Sequence, residues 1–132
     1  MVLDTSAIVA VLCAEPEREI FMEAMAADPL LLLSAATWYE ASVVMVAKKA
    51  SPRAAELVDS LIDSLSVGVA PLDREAAADA RAAYYRFGRG YHSAGLNLGD
   101  CFSYSLAKAH NQPLLFKGED FRKTDVVPAW RP

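Results

Sequence analysis

The chain is expected to fold as an α/β domain with a mostly parallel sheet, and three observations say so. Short apolar runs without polar alternation occur at residues 1–3, 30–33 and 114–116, as in strands covered on both faces. Longer stretches with apolar residues at helical spacing lie between them. Acids follow the first and last runs, Asp4 directly and Asp120 a few residues on. Helices alternating with buried strands make layers of helix against a parallel sheet, whose carboxyl edge is the usual ligand crevice.

The 132 residues suit one domain spanning 1–132, large enough for a core without metal or disulfide support. Apolar residues make up 54%, a surplus over an ordinary small domain that fits a surface covered by a partner or a second copy, or else a well-filled core. No apolar run approaches the roughly 18 residues of a membrane span. Residues 1–13 lack a basic leader and are interrupted by Asp4, so a secretory signal is not expected and the cytoplasm is the expected location. Cys13 and Cys101 sit in apolar helical contexts with no metal spacing and read as small buried hydrophobes. The net charge of −4 disfavours nucleic-acid binding through broad charge complementarity and leaves room for a local basic patch.

Taken in order, residues 1–3 form a strand and residues 6–12 a helix, with Asp4 at the turn between them, where an acid also serves as an N-cap. Pro16 suits a first helical turn, and residues 17–27 follow with Ile20, Phe21, Ala24 and Met25 as a stripe. Residues 30–33 are a second strand, closed by Ser34, a cap for a helix over 35–49. On that helix Glu40 shares a face with Val43, Val44 and Ala47; it is either a buried acid needing a partner or an exposed one at the stripe's edge. Ser51-Pro52 starts a helix over 53–65 bearing Leu57, Leu61, Ile62 and Leu65. Residues 67–72 are a third strand, weakened by Gly68, and Asp73 caps an alanine-rich helix reaching about Phe87.

Residues 88–99 are the most loop-like stretch, and their glycines favour mobility. The stretch also gathers Arg89, Tyr91 and His92 beside Arg86, a mixture suited either to plain solvent or to single-stranded nucleic acid, which takes charge for phosphate and rings for bases. Residues 100–110 are a helix with Asp100 in its first turn, where the helix dipole favours an acid whatever else it does. Residues 114–116 are a fourth strand, and residues 124–127 a final short edge strand before Pro128.

Asp4 and Asp120 after strands, Asp100 at a helix start and Glu40 on a helix face are therefore placed to converge on one edge of the sheet. Gathered carboxylates repel unless a cation neutralises them, and Mg²⁺ or Mn²⁺ suits an all-oxygen set. Such a site fits phosphodiester cleavage, because the ion activates water and stabilises charge on the phosphate. There is no zinc cluster, Walker A motif or GxGxxG.

Asp4-Thr5-Ser6-Ala7, Glu40, the block from Leu96 to Ala107 around Gly99-Asp100-Cys101-Phe102, and Leu114-Leu115-Phe116-Lys117-Gly118-Glu119-Asp120-Phe121 resemble the PIN-domain ribonucleases. More narrowly they resemble the VapC toxins of type II VapBC toxin–antitoxin pairs. The resemblance spans nearly the whole chain. It implies a three-layer α/β/α fold with strand order 3-2-1-4-5 and Mg²⁺- or Mn²⁺-dependent cleavage of RNA that inhibits translation. It implies Asp4, Glu40, Asp100 and Asp120 as the catalytic acids, with Asp4, Asp100 and Asp120 on the metal and Ser6 in support. Glu119 competes with Asp120 for the last place. A homodimer and a small cognate antitoxin are implied as partners, and Arg86, Arg89, His92 and Lys117 are candidate RNA contacts.

Two other readings are possible. Aspartyl-phosphate transfer also places an acid after the first strand, but haloacid-type enzymes usually carry a second Asp where this chain has Ser6, and receivers pair acids near that strand's end. A PIN-fold module that binds RNA without cutting it is the other, against which the intact acid set argues.

Overall fold

The computed structural model describes residues 1–131. In order the elements are β1 (Val2–Leu3), α1 (Thr5–Leu12), α2 (Arg18–Ala27), β2 (Leu32–Ser34), α3 (Ala35–Lys49), α4 (Ala55–Ser64), β3 (Gly68–Ala70), α5 (Arg74–Phe87), α6 (Leu98–Ala109) and β4 (Leu114–Leu115). Turns of 3-10 helix cover Pro52–Ala54 and Phe121–Lys123. The four strands are all parallel, in the order β3-β2-β1-β4.

Strand alternation makes the layers. Leu3 and Leu115 point to one face, into a core shared with Ile8, Phe21, Met25, Met45 and Val58 of α1–α4. Val2 and Leu114 point to the other, against Ala83, Phe87, Tyr104 and Ala107 of α5 and α6. Burial of each large side chain contributes roughly 1.5–3 kcal/mol, so two such cores hold strands too short to persist alone. The expected α/β class is found.

The fifth strand of the expected 3-2-1-4-5 order is reduced to a single bridge. Leu114 donates to the Val127 carbonyl and accepts from Ala129 N–H, each at 2.8 Å, so the chain beside Pro128 occupies the expected edge position without forming a ladder. Pro128 has no N–H to extend one. The loop over 88–97 is tied down rather than open: Arg89 N–H donates to the Leu96 carbonyl and Leu96 N–H to the Phe87 carbonyl, both at 3.0 Å, while Ala94 and Leu96 are buried. On α3 the buried stripe is Thr37, Ala41 and Met45; Val43 and Ala47 face outward, and Glu40 sits half-buried at the margin. Cys101 is buried as expected, whereas Cys13 is only half-buried.

Candidate active site

Asp4 lies between the end of β1 and the start of α1, and is 3% exposed. Its N–H donates to the Leu115 carbonyl at 3.0 Å, fixing it to β4. Its side chain caps α1. Oδ2 accepts both from Ser6 N–H at 2.9 Å and from the Ser6 hydroxyl, and that hydroxyl in turn accepts from Lys117 N–H at 2.9 Å. Oδ2 is thus occupied, and Oδ1 is the oxygen left for another partner. Capping thus takes one oxygen of this carboxylate and leaves the other.

Glu40 reaches across from α3. Its Oε2 accepts from the hydroxyl of Thr5, the residue after Asp4, and its carboxylate packs onto Gly99, the residue before Asp100. A side-chain carbon at Gly99 would overlap the Glu40 carboxyl group. Glu40 therefore sits between the starts of α1 and α6 and joins the two helices that present the aspartates.

Asp100 lies in the first turn of α6. Asn97 Oδ1 accepts from Asp100 N–H at 2.9 Å and Asp100 Oδ2 accepts from Asn97 N–H at 2.8 Å, a complete capping box. Burial pushes the Asp100 carboxyl up to about 6; the bond from Asn97 opposes the rise, and the negative charges of Asp4, Asp120 and Glu40 add to it. All four expected acids therefore share one electrostatic field. Asp120 is exposed at the rim of this cluster, after the turn at Gly118, whose φ of +108° favours glycine. Neighbouring Glu119 instead approaches Arg122 at 3.3 Å.

The four candidate RNA contacts separate. Arg86 pairs with Asp125 at 3.2 Å and lies over the Phe87 ring, and Lys117 Nζ lies 2.8 Å from both Glu15 and Glu17. Arg89 and His92 remain exposed in the tied loop, where His92 Nδ1 accepts from Ala94 N–H at 3.0 Å. Sequence reasoning missed Thr5 and Gly99, whose importance comes only from Glu40, and the Lys117–Glu15–Glu17 cluster, whose members stand about a hundred residues apart.

Among the described residues, no three His, Cys, Asp or Glu side chains form a ready-made metal cage. The donor chemistry nevertheless fits a hard divalent ion that keeps several of its waters: the donors are all oxygen, Asp4 and Asp100 each have one oxygen not taken by the bonds above, and Asp100 bears uncompensated repulsion. None of the described helices is long and apolar enough to cross a membrane.

A family model described as PIN domain matches residues 1–127, and the chain belongs to the PIN-domain family. Ribonuclease VapC of Mycolicibacterium smegmatis is 49% identical over 127 residues, covering 96% of this chain and 98% of that protein. Ribonuclease VapC30 of Mycobacterium tuberculosis is 48% identical over 127 residues, covering 96% of each. Within the family the chain is thus a VapC ribonuclease, an endoribonuclease of the toxin type, which sets aside the phosphotransfer and binding-only readings. Among solved structures, M. tuberculosis VapC20, described as a sarcin-ricin loop cleaving toxin, is similar with a TM-score of 0.78 at 17% identity, covering 99% of this chain and 98% of that one. A toxin–antitoxin complex from Klebsiella pneumoniae is similar with a TM-score of 0.70 at 19% identity, covering 99% and 98%. These two share the fold.

Proposed function

We propose that this VapC ribonuclease cleaves RNA phosphodiester bonds with Mg²⁺ or Mn²⁺ held by Asp4, Asp100 and Asp120, and that Glu40 completes the catalytic set. The observation that carries the reading is geometric: Glu40 accepts from Thr5 beside Asp4 and packs onto Gly99 beside Asp100, so the starts of α1 and α6 bring these acids to one edge of the sheet. The chemistry a divalent cation supplies there is Lewis-acid stabilisation of charge on the phosphate and a lowered pKa for water. Asp4 and Asp100 offer one oxygen each, because backbone donors occupy the other. Glu40, held by Thr5, keeps the starts of α1 and α6 at a fixed separation. One acid of the set, Glu40 or Asp120, accepts the proton of the attacking water. Arg89 and His92, exposed on the loop before α6, contact the RNA backbone.

Cleavage in the cytoplasm inhibits translation, and a small antitoxin blocks the acidic site. The outward Tyr39 and Val43 on α3 support a protein partner. A cavity of about 420 Å³ between α5 and α6, lined by Leu72, Tyr84, Tyr85, Leu98 and Phe102, supports a second copy of the chain. Cleavage of a structured RNA with Mg²⁺, Mn²⁺ or EDTA tests the central claim. The wild type is expected to cut only with a divalent ion. Asp4→Asn, which keeps a capping side chain, should be slower by at least about a hundred-fold, the upper end for loss of an outer partner of a metal site. Equal cleavage by both proteins in EDTA would overturn the reading.

A further inference from the structure

Lys117 has a position that neither capping nor RNA contact explains. It stands two residues past the end of β4, and its main chain and side chain have different partners. The N–H donates to Ser6 Oγ at 2.9 Å, occupying that oxygen while the hydroxyl proton goes to Asp4 Oδ2. The ammonium lies between Glu15 and Glu17, 2.8 Å from each, at the corner joining α1 to α2. Three residues later comes Asp120, exposed, with Gly118 at positive φ two residues before it.

We propose that Lys117 is a positioning residue: clamped by Glu15 and Glu17, it fixes the connection carrying Asp120 against α1 and sets the Ser6 hydroxyl on Asp4. The inference rests on the metal-dependent reading above. A single exposed ion pair contributes little. Here one cation bridges two carboxylates, and all three side chains are partly shielded. The two bonds hold the Lys117 ammonium charged, raising it above its ordinary value, and the bond to Lys117 lowers Glu17. The trio has one excess negative charge, so its ammonium is a poor phosphate ligand. The carboxylates fix the lysine, and the lysine fixes the loop.

The sign of a charge change separates this role from a field effect. Removing a nearby positive charge should tighten binding of a cation; loosening Asp4 and Asp120 should weaken it. Mn²⁺ binding to the metal-free, full-length protein is measured by calorimetry without RNA, with thermal unfolding to verify folding. Lys117→Met is expected to weaken Mn²⁺ binding by about 10-fold or more, as loss of a partner behind a metal ligand does. The Glu15→Gln/Glu17→Gln pair, on the corner rather than the sheet, should weaken it comparably. Lys117→Arg keeps a cation between the glutamates and should restore binding to within about three-fold.

Unchanged or tighter Mn²⁺ binding by Lys117→Met overturns the inference while leaving the ribonuclease reading intact. So does a pattern in which the double glutamine variant tightens RNA binding in EDTA and Lys117→Met weakens it, since Lys117 would then be a phosphate contact. Absence of Mn²⁺ binding by the wild type overturns the metal-dependent reading and this inference together.

Discussion

Asp100 uses one carboxylate oxygen to hold the start of α6 and remains an ionisable group in a field of three other acids. Its carboxyl rises from an ordinary 3.8 to about 6, chiefly through burial and then through Asp4, Asp120 and Glu40. A raised carboxyl favours the neutral form in the folded state. The stability it contributes is full below the ordinary value and is lost as pH rises through about 6. In EDTA, Asp100→Asn should therefore gain on the wild type over that window and hold a constant advantage above it. Melting temperatures of both proteins across the window check this; parallel curves would show that Asp100 titrates as an ordinary carboxylate.

The start of α6 is where local sequence and the site coincide. Asn97 and Asp100 exchange two bonds, and Gly99 between them leaves room for Glu40. Asn97→Ala should cost about 1 kcal/mol of stability, the usual value of a cap, and should lower cleavage as well because the Asp100 N–H loses its acceptor and the first turn of α6 is held by the remaining bond alone. Denaturant unfolding paired with an RNA cleavage assay reads both, and loss of stability without loss of cleavage would make the cap purely structural. Helices were the legible part of the sequence: Ala35–Lys49 stands as expected, and so does the long helix capped by Asp73, because caps and periodicity are local signals. Strands were less so. The second slid to Leu32–Ser34, and the edge strand expected over 124–127 is replaced by one bridge at Pro128, because pairing is decided by neighbours far along the chain. For the same reason Leu57, expected on the buried stripe of its helix, is 43% exposed, and the glycine-rich loop is pinned by Leu96, which the sequence did not identify as buried. The four acids were legible as types at strand and helix ends, and their common field follows from the parallel topology. The partners that hold them, Thr5, Gly99 and Lys117, were not.

At the scale of the whole molecule, a chain with 17 acids and 13 bases gathers acids from four separate parts of its sequence at one sheet edge. Such repulsion opposes folding, and selection retains it where function requires the charge. A cation that binds only the folded state offsets it, by about 2.7 kcal/mol at a hundred times its dissociation constant. For a domain of this size that corresponds to a melting-temperature rise on the order of 10 °C between EDTA and saturating Mg²⁺. Asp4→Asn should reverse both halves of this behaviour. Asn retains the cap of α1 while removing a charge, so the variant should melt higher than the wild type in EDTA and respond little to Mg²⁺. Scanning calorimetry of both proteins with and without the ion distinguishes the cases. If wild-type curves in EDTA and Mg²⁺ superimpose, the gathered acids are not stabilised by a cation, and the charge at this sheet edge requires another explanation.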